Sequence, residues 1–170
     1  MYKPHSQQVP DYYQTYVGKV PDHPLVETLT EGQQQTESLL QSLTEEQWLH
    51  RYASGKWSLK ESFLHMIDAE RVFIYRAMRI ARGDQTPLPG FDQNAYVPNS
   101  DADQRSPESL LTEYRAVRSA SIALFQSMKE DALERVGTAS NHPFTPKVLG
   151  YVTAGHELHH LKLFREKYLG

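Results

Sequence analysis

The sequence predicts an all-α protein that folds as a four-helix bundle. Four segments place apolar residues three and four positions apart, which is typical of helices with one buried face. The second and third of these segments begin at residues that commonly cap helices. No segment alternates apolar and polar residues as a half-buried strand does. With 170 residues the chain can bury a full hydrophobic core, so we expect one domain spanning residues 1–170.

Residues 1–24 contain four prolines among several tyrosines, which is typical of an ordered extension over the surface without a core of its own. After this N-terminal extension, leucines at helical spacing predict the first helix over residues 25–43, although its middle is rich in glutamine. The two segments together predict that the bundle starts at about Leu25.

The second helix has a clear start and a clear end. Ser58 and Glu61 form a capping box, in which each side chain bonds a backbone N–H of the other residue, and Gly83 supplies the stop. Apolar residues on two of its faces indicate a helix packed between two neighbours. Glu70 lies within one apolar stripe, so we expect it to form a buried ion pair with an arginine such as Arg118.

A long crossover loop separates the second helix from the third. Residues 82–105 are rich in proline, glycine, aspartate and asparagine. A helix of ~24 residues is ~36 Å long, and an extended loop of this size reaches further, so the third helix need not run antiparallel to the second. Long loops are often functional, which makes Asp92, Asn94 and Tyr96 candidate substrate-binding residues, with solvated turn residues as the alternative.

The third and fourth helices complete the bundle. Ser106 is the predicted N-cap of the third helix, and Pro107 stands at its first position. The fourth helix is predicted from about Thr145 to about Tyr168.

The charge and composition exclude several classes of function. The net charge is −3 and the basic residues are dispersed, which argues against nucleic acid as a partner. The absence of cysteine excludes disulfides, thiolate metal sites and a cysteine nucleophile. No run approaches the ~18 apolar residues of a membrane span, and the N-terminus lacks the apolar core of a signal peptide. We therefore expect a soluble, cytoplasmic protein without a membrane partner.

The fourth helix carries the strongest chemical signal, His-Glu-Leu-His-His at residues 156–160. His156 and His160 lie about 40° apart on one helix face, a spacing at which two imidazoles can bind one metal ion. His159 is about 60° from His156, so spacing alone leaves its participation open. His65 on the second helix is a candidate third ligand. The alternative for each is a core or surface histidine without a shared role.

The same five residues satisfy the H-E-x-x-H pattern of zinc proteases, in which the glutamate is the general base. Only residues 161–170 follow, which leaves no room for a later helix with a third ligand. Leu163 and Glu166 stand where the metzincin extension requires glycine and histidine. We therefore do not expect a protease.

Several segments, taken in order, resemble the DinB-like superfamily, in particular its DinB_2 branch, which is related to the YfiT-type metal-dependent hydrolases. They include Gly-Lys-Trp-Ser-Leu-Lys-Glu at 55–61 and Gly-His-Glu-Leu-His-His at 155–160. The remaining matching stretches are 51–54, 65, 68–76, 82–84 and 87–92. The ordered set extends over almost the whole chain.

The resemblance implies a bundle of up-down-down-up topology and a metal site formed by His65, His156 and His160. The site would hold one divalent metal ion, with zinc as the first expectation and nickel, manganese or iron as alternatives. Three histidines without a fourth protein ligand leave positions open for water or substrate, which is the layout of a catalytic metal.

Members of the family resemble bacillithiol-dependent S-transferases and a mycothiol-dependent isomerase. This implies a metal-dependent enzyme that transfers a low-molecular-weight thiol cosubstrate to an electrophilic small-molecule substrate through a metal-activated thiolate. The alternatives are a hydrolase that uses metal-bound water, and a non-catalytic, stress-associated metal-binding module. The resemblance also suggests a homodimer, with the tyrosine-rich extension over its interface.

Overall fold

Four long helices pack side by side as a bundle in the computed structural model, which describes residues 2–170. In chain order the elements are α1 (Asp11–Val17), α2 (Leu25–Leu40), α3 (Glu45–Leu49), α4 (Leu59–Ala81), α5 (Gln93–Tyr96), α6 (Pro107–Ser127), α7 (Glu130–Leu133), β1 (Gly137–Ala139), β2 (His142–Phe144) and α8 (Pro146–Leu163). Helices α2, α4, α6 and α8 form the bundle, so the predicted fold class, an all-α four-helix bundle, is confirmed.

Hydrogen bonds confirm the predicted starts of α4 and α6, whereas α2 ends at Leu40, three residues before its predicted end. The Ser58 hydroxyl accepts from the Glu61 N–H at 3.0 Å, and the Glu61 carboxylate accepts from the Ser58 N–H at 2.8 Å. The Ser106 hydroxyl caps α6 by accepting from the Ser109 N–H at 3.2 Å. Helix α4 ends at Ala81, and Gly83, two residues later, supplies the predicted stop with a φ of 83°, which is disfavoured for residues that carry a Cβ. These contacts lie within a few residues of each other in the chain, which is why sequence alone predicts them.

Three features differ from the expectation. The N-terminal extension contains helix α1, which packs on α8 and buries Val9, Val17 and Val20. A hairpin of two antiparallel three-residue strands, β1 and β2, precedes α8, and these strands are too short to show alternation. The fourth helix is α-helical only to Leu163 and continues as a π-helical turn over Phe164–Tyr168.

Contacts between helix ends show how the crossover loop connects α4 with α6. Lys60, in the first turn of α4, donates to the Arg105 carbonyl at 2.7 Å, just before α6 begins. At the other end, Arg135 donates to the Ala81 carbonyl at 2.5 Å, beyond the end of α6. Helices α4 and α6 therefore run in the same direction. The complete up-down-down-up order stays a prediction.

The core consists of two apolar clusters separated by a polar layer. One cluster includes Leu25, Leu29, Phe73, Phe125, Leu149 and Val152, and the other includes Leu40, Phe63, Ile67, Leu110, Tyr114 and Leu161. On each long helix a buried polar residue stands between the members of the two clusters: Thr36, Glu70, Arg118 and Glu157. In the described chain no helix combines the length and apolar character needed to cross a membrane.

Candidate metal centre

The three histidines singled out by the sequence lie together between α4 and α8. Each of the three imidazoles has a ring nitrogen that lies within 4.8 Å of a ring nitrogen of the other two; the residues are His65, His156 and His160. The Nε2 atoms of His156 and His160 are 3.2 Å apart, as their separation by one helical turn predicts. The ring of His65 lies 5.2 Å from each of the other two rings, measured between centroids. The structure thus brings one α4 residue to the pair on α8.

Burial keeps these imidazoles neutral. His156 and His160 are each 6% exposed, and burial is the largest cause that holds their pKa values well below the ordinary range. Burial also lowers the pKa of His65 to about 4. A neutral imidazole offers a nitrogen lone pair to a metal ion without first losing a proton. The group is therefore in the protonation state that metal binding requires at neutral pH.

The donor set fits a divalent metal ion. Two nitrogens bound to zinc at ~2.0–2.1 Å with a tetrahedral angle between them are about 3.3 Å apart. The two Nε2 atoms of His156 and His160, 3.2 Å apart, meet that requirement with little movement. Among residues 2–170 no carboxylate or further histidine joins the group of three. The ligation itself stays a prediction.

Ser62 supports the orientation of His160. Its Oγ lies 3.3 Å from Nδ1 of His160, on α4 one turn before His65. When Nδ1–H donates to this hydroxyl, Nε2 carries the lone pair and faces the other histidines. Hydrogen bonds of this kind fix the tautomer and direction of metal-binding histidines.

His159, which helical spacing left open, does not belong to the group. It is half-buried, and its ring packs 5.5 Å from that of Tyr16. Burial, together with the charges of Lys19 and Lys162, lowers its pKa. His159 lines the adjacent cavity instead.

Glu157 points away from the histidines into the polar layer of the core. Its carboxylate accepts from Arg118 at 2.7 Å, from Tyr114 at 2.5 Å and from Thr36 at 2.9 Å. Arg118 also makes two parallel hydrogen bonds to Glu70, which confirms the predicted buried pair. Since all of its neighbours are structural, Glu157 is not placed to act as the base of an H-E-x-x-H centre.

A cavity of about 260 Å³ opens beside the three histidines, and its other walls are mostly aromatic. The wall residues besides the metal group are Tyr12, Tyr13, Tyr16, Trp57, Ala69, Phe73, Phe91, Gln93, Ser140 and His159. The tyrosines come from α1, which sequence reasoning missed, although their i, i+1 and i+4 spacing is that of one helix face. Gly155 permits the close approach of α1, because a Cβ there would lie 2.2 Å from the Tyr16 carbonyl oxygen.

The three loop residues named as candidates for substrate binding, Asp92, Asn94 and Tyr96, lie outside this cavity wall. Asp92 is exposed and caps α5, accepting from the Asn94 N–H at 2.9 Å. Tyr96 is 48% exposed and packs on Phe91. Their neighbours Phe91 and Gln93 line the cavity in their place. A role for Asp92 and Tyr96 in binding stays a prediction.

Comparison with known proteins connects this arrangement with one family. Residues 28–164 match the DinB superfamily, in its DinB_2 group. YfiT from Bacillus subtilis, described as a probable metal-dependent hydrolase with an unusual four-helix bundle topology, superposes with a TM-score of 0.75 at 16% identity, covering 97% of this chain and 90% of YfiT.

The mycothiol-dependent maleylpyruvate isomerase superposes with a TM-score of 0.67 at 15% identity. The match covers 82% of this chain and 60% of the isomerase. At these identities the likeness to the two structures concerns the fold. No curated protein matches the sequence.

Proposed function

The chain belongs to the DinB superfamily, and from that premise we propose that it is a metal-dependent enzyme acting on a small molecule. His65, His156 and His160 hold one divalent metal ion, with zinc as the first expectation. The leading reaction is transfer of a low-molecular-weight thiol to an electrophilic substrate. The observation that carries the proposal is the meeting of three neutral imidazoles beside a cavity, with no fourth ligand from residues 2–170.

The chain's own residues supply the binding site and control access of water. The three histidines present neutral nitrogens, and Ser62 holds the ring of His160. The aromatic side chains of Trp57 and Phe73 give the same space apolar walls. When bound, a divalent metal lowers the pKa of a coordinated thiol and leaves a thiolate nucleophile.

Thiol transfer is favoured over hydrolysis by the composition of the cavity wall. A thiol acidified by a metal needs no further base, whereas attack by water is commonly assisted by one. The described wall contains no carboxylate, and Glu157 is occupied by Arg118. The isomerase of similar fold is mycothiol-dependent, which supports a thiol cosubstrate.

Hydrolysis is the second candidate, and His159 is the observation in its favour. Its imidazole lines the cavity outside the metal group, and its lowered pKa makes it a neutral acceptor for a proton from water. YfiT, of similar fold, is described as a probable metal-dependent hydrolase.

The first experiment tests the metal site. Protein purified without a histidine tag should carry about one divalent metal per chain by mass spectrometry, and His65→Ala and His160→Ala should lose it. His142→Ala, at an exposed position in β2, is the matched control and should retain the metal. Absence of metal in the unsubstituted protein after supplementation with zinc, nickel, manganese or iron would exclude the proposal.

The second experiment separates the reactions. Metal-loaded protein is incubated with bacillithiol or mycothiol and monochlorobimane, and separately with ester, amide and phosphoester substrates. Conjugation that depends on His65 but survives His159→Ala supports thiol transfer. Hydrolysis that is lost in both His65→Ala and His159→Ala supports a hydrolase. Bound metal without either activity would support a non-catalytic metal-binding module. Light scattering after size-exclusion chromatography tests the expected homodimer.

A further inference from the structure

Arg76 is a buried cation on the helix that carries His65. It is 2% exposed, and it follows Phe73 by one turn on α4. His65, Ala69 and Phe73 line the cavity, and at 100° per residue Arg76 falls on the same face of the helix. Arg76 thus lies one turn beyond the wall residue Phe73 on the same face of α4, although it is not itself a wall residue.

The guanidinium of Arg76 is held by neutral groups only. Its Nη2 donates to the Pro89 carbonyl at 2.7 Å and to the Ser140 hydroxyl at 2.9 Å, and its Cζ lies 5.8 Å from the centre of the Phe91 ring. The Nη1 atom is buried without a hydrogen-bond partner among the described residues. No carboxylate of residues 2–170 forms an ion pair with Arg76.

Arg118, the other fully buried arginine among the described residues, shows what such a cation normally requires. It pairs with two buried carboxylates, those of Glu70 and Glu157. A charge buried without a counter-ion is energetically unfavourable, and burial is the largest cause that lowers the pKa of Arg76. Arg76 therefore has the surroundings of a cation whose partner comes from outside the protein.

The neighbours of Arg76 place that partner in the cavity. Phe91 and Ser140, which contact the guanidinium, are both cavity wall residues. Tyr13, another wall residue, lies close enough for its phenol to interact with the Arg76 guanidinium both electrostatically and by a side-chain hydrogen bond, so the group nearest to Arg76 on this side is again neutral. Ser140 has a φ of 49°, rare for a residue with a side chain, and the hairpin turn holds it there while its N–H donates to the Leu88 carbonyl.

We propose that Arg76 binds the anionic group, a carboxylate or a phosphate, of the small molecule that occupies the cavity beside the histidines. This inference rests on the proposed function in so far as that molecule is the substrate of the metal centre. The Nη1 group supplies two N–H donors with a fixed direction and a permanent charge, which suits an oxyanion. Arg76 lies behind the wall residues Phe91 and Ser140, so the charged group of the molecule would lie beside these two residues and its reacting atom at the histidines.

The test measures ligand binding and does not depend on turnover. The full-length chain, as purified and again after chelation of metal, is titrated by calorimetry at pH 7 with hexanoate, with the neutral hexanamide and with inorganic phosphate. Hexanoate or phosphate should bind roughly tenfold or more tightly than hexanamide, as expected for a hydrogen bond to a charged group. Arg76→Met should abolish the preference, and Arg76→Lys should retain part of it.

Arg79→Met is the matched control, since Arg79 lies one turn further on α4 and is paired with Asp84. It should leave the preference unchanged. Equal affinity for the charged and neutral probes in the unsubstituted protein would overturn the proposal, as would a preference that survives Arg76→Met. The first of these outcomes needs no variant, so a folding defect of Arg76→Met leaves the test decisive.

A second arm separates this proposal from the metal proposal. The cobalt-substituted protein is titrated with 6-mercaptohexanoate and 6-mercaptohexanamide, and binding of the sulfur is followed by thiolate-to-cobalt charge-transfer absorption. If no absorption appears but hexanoate still binds more tightly than hexanamide, the metal site is refuted and the role of Arg76 is not. If the charge-transfer absorption appears and gives the same affinity for both thiols, the role of Arg76 is refuted and the metal site is not.

Discussion

Replacement of Glu157 by glutamine distinguishes a structural glutamate from a catalytic one. The Glu157 carboxylate is 1% exposed and accepts hydrogen bonds from Arg118, Tyr114 and Thr36. Glutamine has almost the same shape but only one acceptor oxygen. If that oxygen keeps Arg118, the amide NH₂ faces two hydroxyls, which can turn to accept.

The expected loss of stability follows from these contacts. The substitution removes one charge from a buried network but leaves Arg118 paired with Glu70 through two hydrogen bonds, at 3.0 and 2.8 Å. Loss of one charge-assisted hydrogen bond lowers the free energy of unfolding by about 2 kcal/mol. For a chain of this size that corresponds to a fall of roughly 4–8 °C in Tm.

Urea denaturation and a zinc-binding isotherm together check this prediction. Glu157→Gln should be less stable, yet its zinc affinity should remain within about threefold of that of the unsubstituted protein, because no histidine takes part in the network. Glu166→Gln is the control, since Glu166 is exposed and should change stability by less than ~0.5 kcal/mol. Unchanged stability combined with lost metal binding or lost turnover would refute the structural role.

Three further substitutions or conditions have defined outcomes. Gly32→Ala should lower the urea midpoint, because its Cβ would lie 2.2 Å from the Glu157 carboxylate oxygen and overpacking of this kind costs about 1–3 kcal/mol; a raised midpoint would contradict the close approach. Ser62→Ala should weaken zinc binding roughly 10–100-fold by calorimetry, since His160 loses its supporting hydrogen bond; unchanged affinity would show that the ring needs no support. The metal-free protein should lose stability as the pH falls from about 6.5 to about 4, because in this range the unfolded chain protonates histidines whose pKa values burial lowers in the folded chain: His65, to about 4, and also His156 and His160. His65 alone corresponds to about 3 kcal/mol, so His65→Gln should flatten the pH slope of stability in urea titrations without removing it, and an unchanged slope would assign the dependence to the other histidines.

Local interactions explain what could be predicted from the sequence. The N-caps Ser58 and Ser106 and the stop at Gly83 depend on residues at most a few positions away, so they can be recognised without a tertiary structure. The proximity of His156 and His160 follows from the helical repeat alone. The buried pair of Glu70 and Arg118 could be anticipated because a charge within an apolar stripe requires a counter-ion.

The cavity depends on contacts between residues far apart in the chain, which local patterns do not encode. Helix α1 has only seven residues, so it shows too little periodicity to be recognised, and the absence of a side chain at Gly155 on α8 permits its close approach. The same holds for the three-residue strands that carry Ser140 to Arg76.

The sequence by itself determined the bundle, the starts of α4 and α6 and the histidine pair of α8, because each follows from interactions within one helix or from the pattern of apolar residues along it. Only the tertiary structure decided which way each polar side chain of the central layer faces. It placed His65 with the pair, turned Glu157 toward Arg118, and buried Arg76 behind the cavity wall without a carboxylate partner among residues 2–170. The physical reason is that burial and pairing of charges are set by the neighbours that packing provides, and these neighbours lie on other helices.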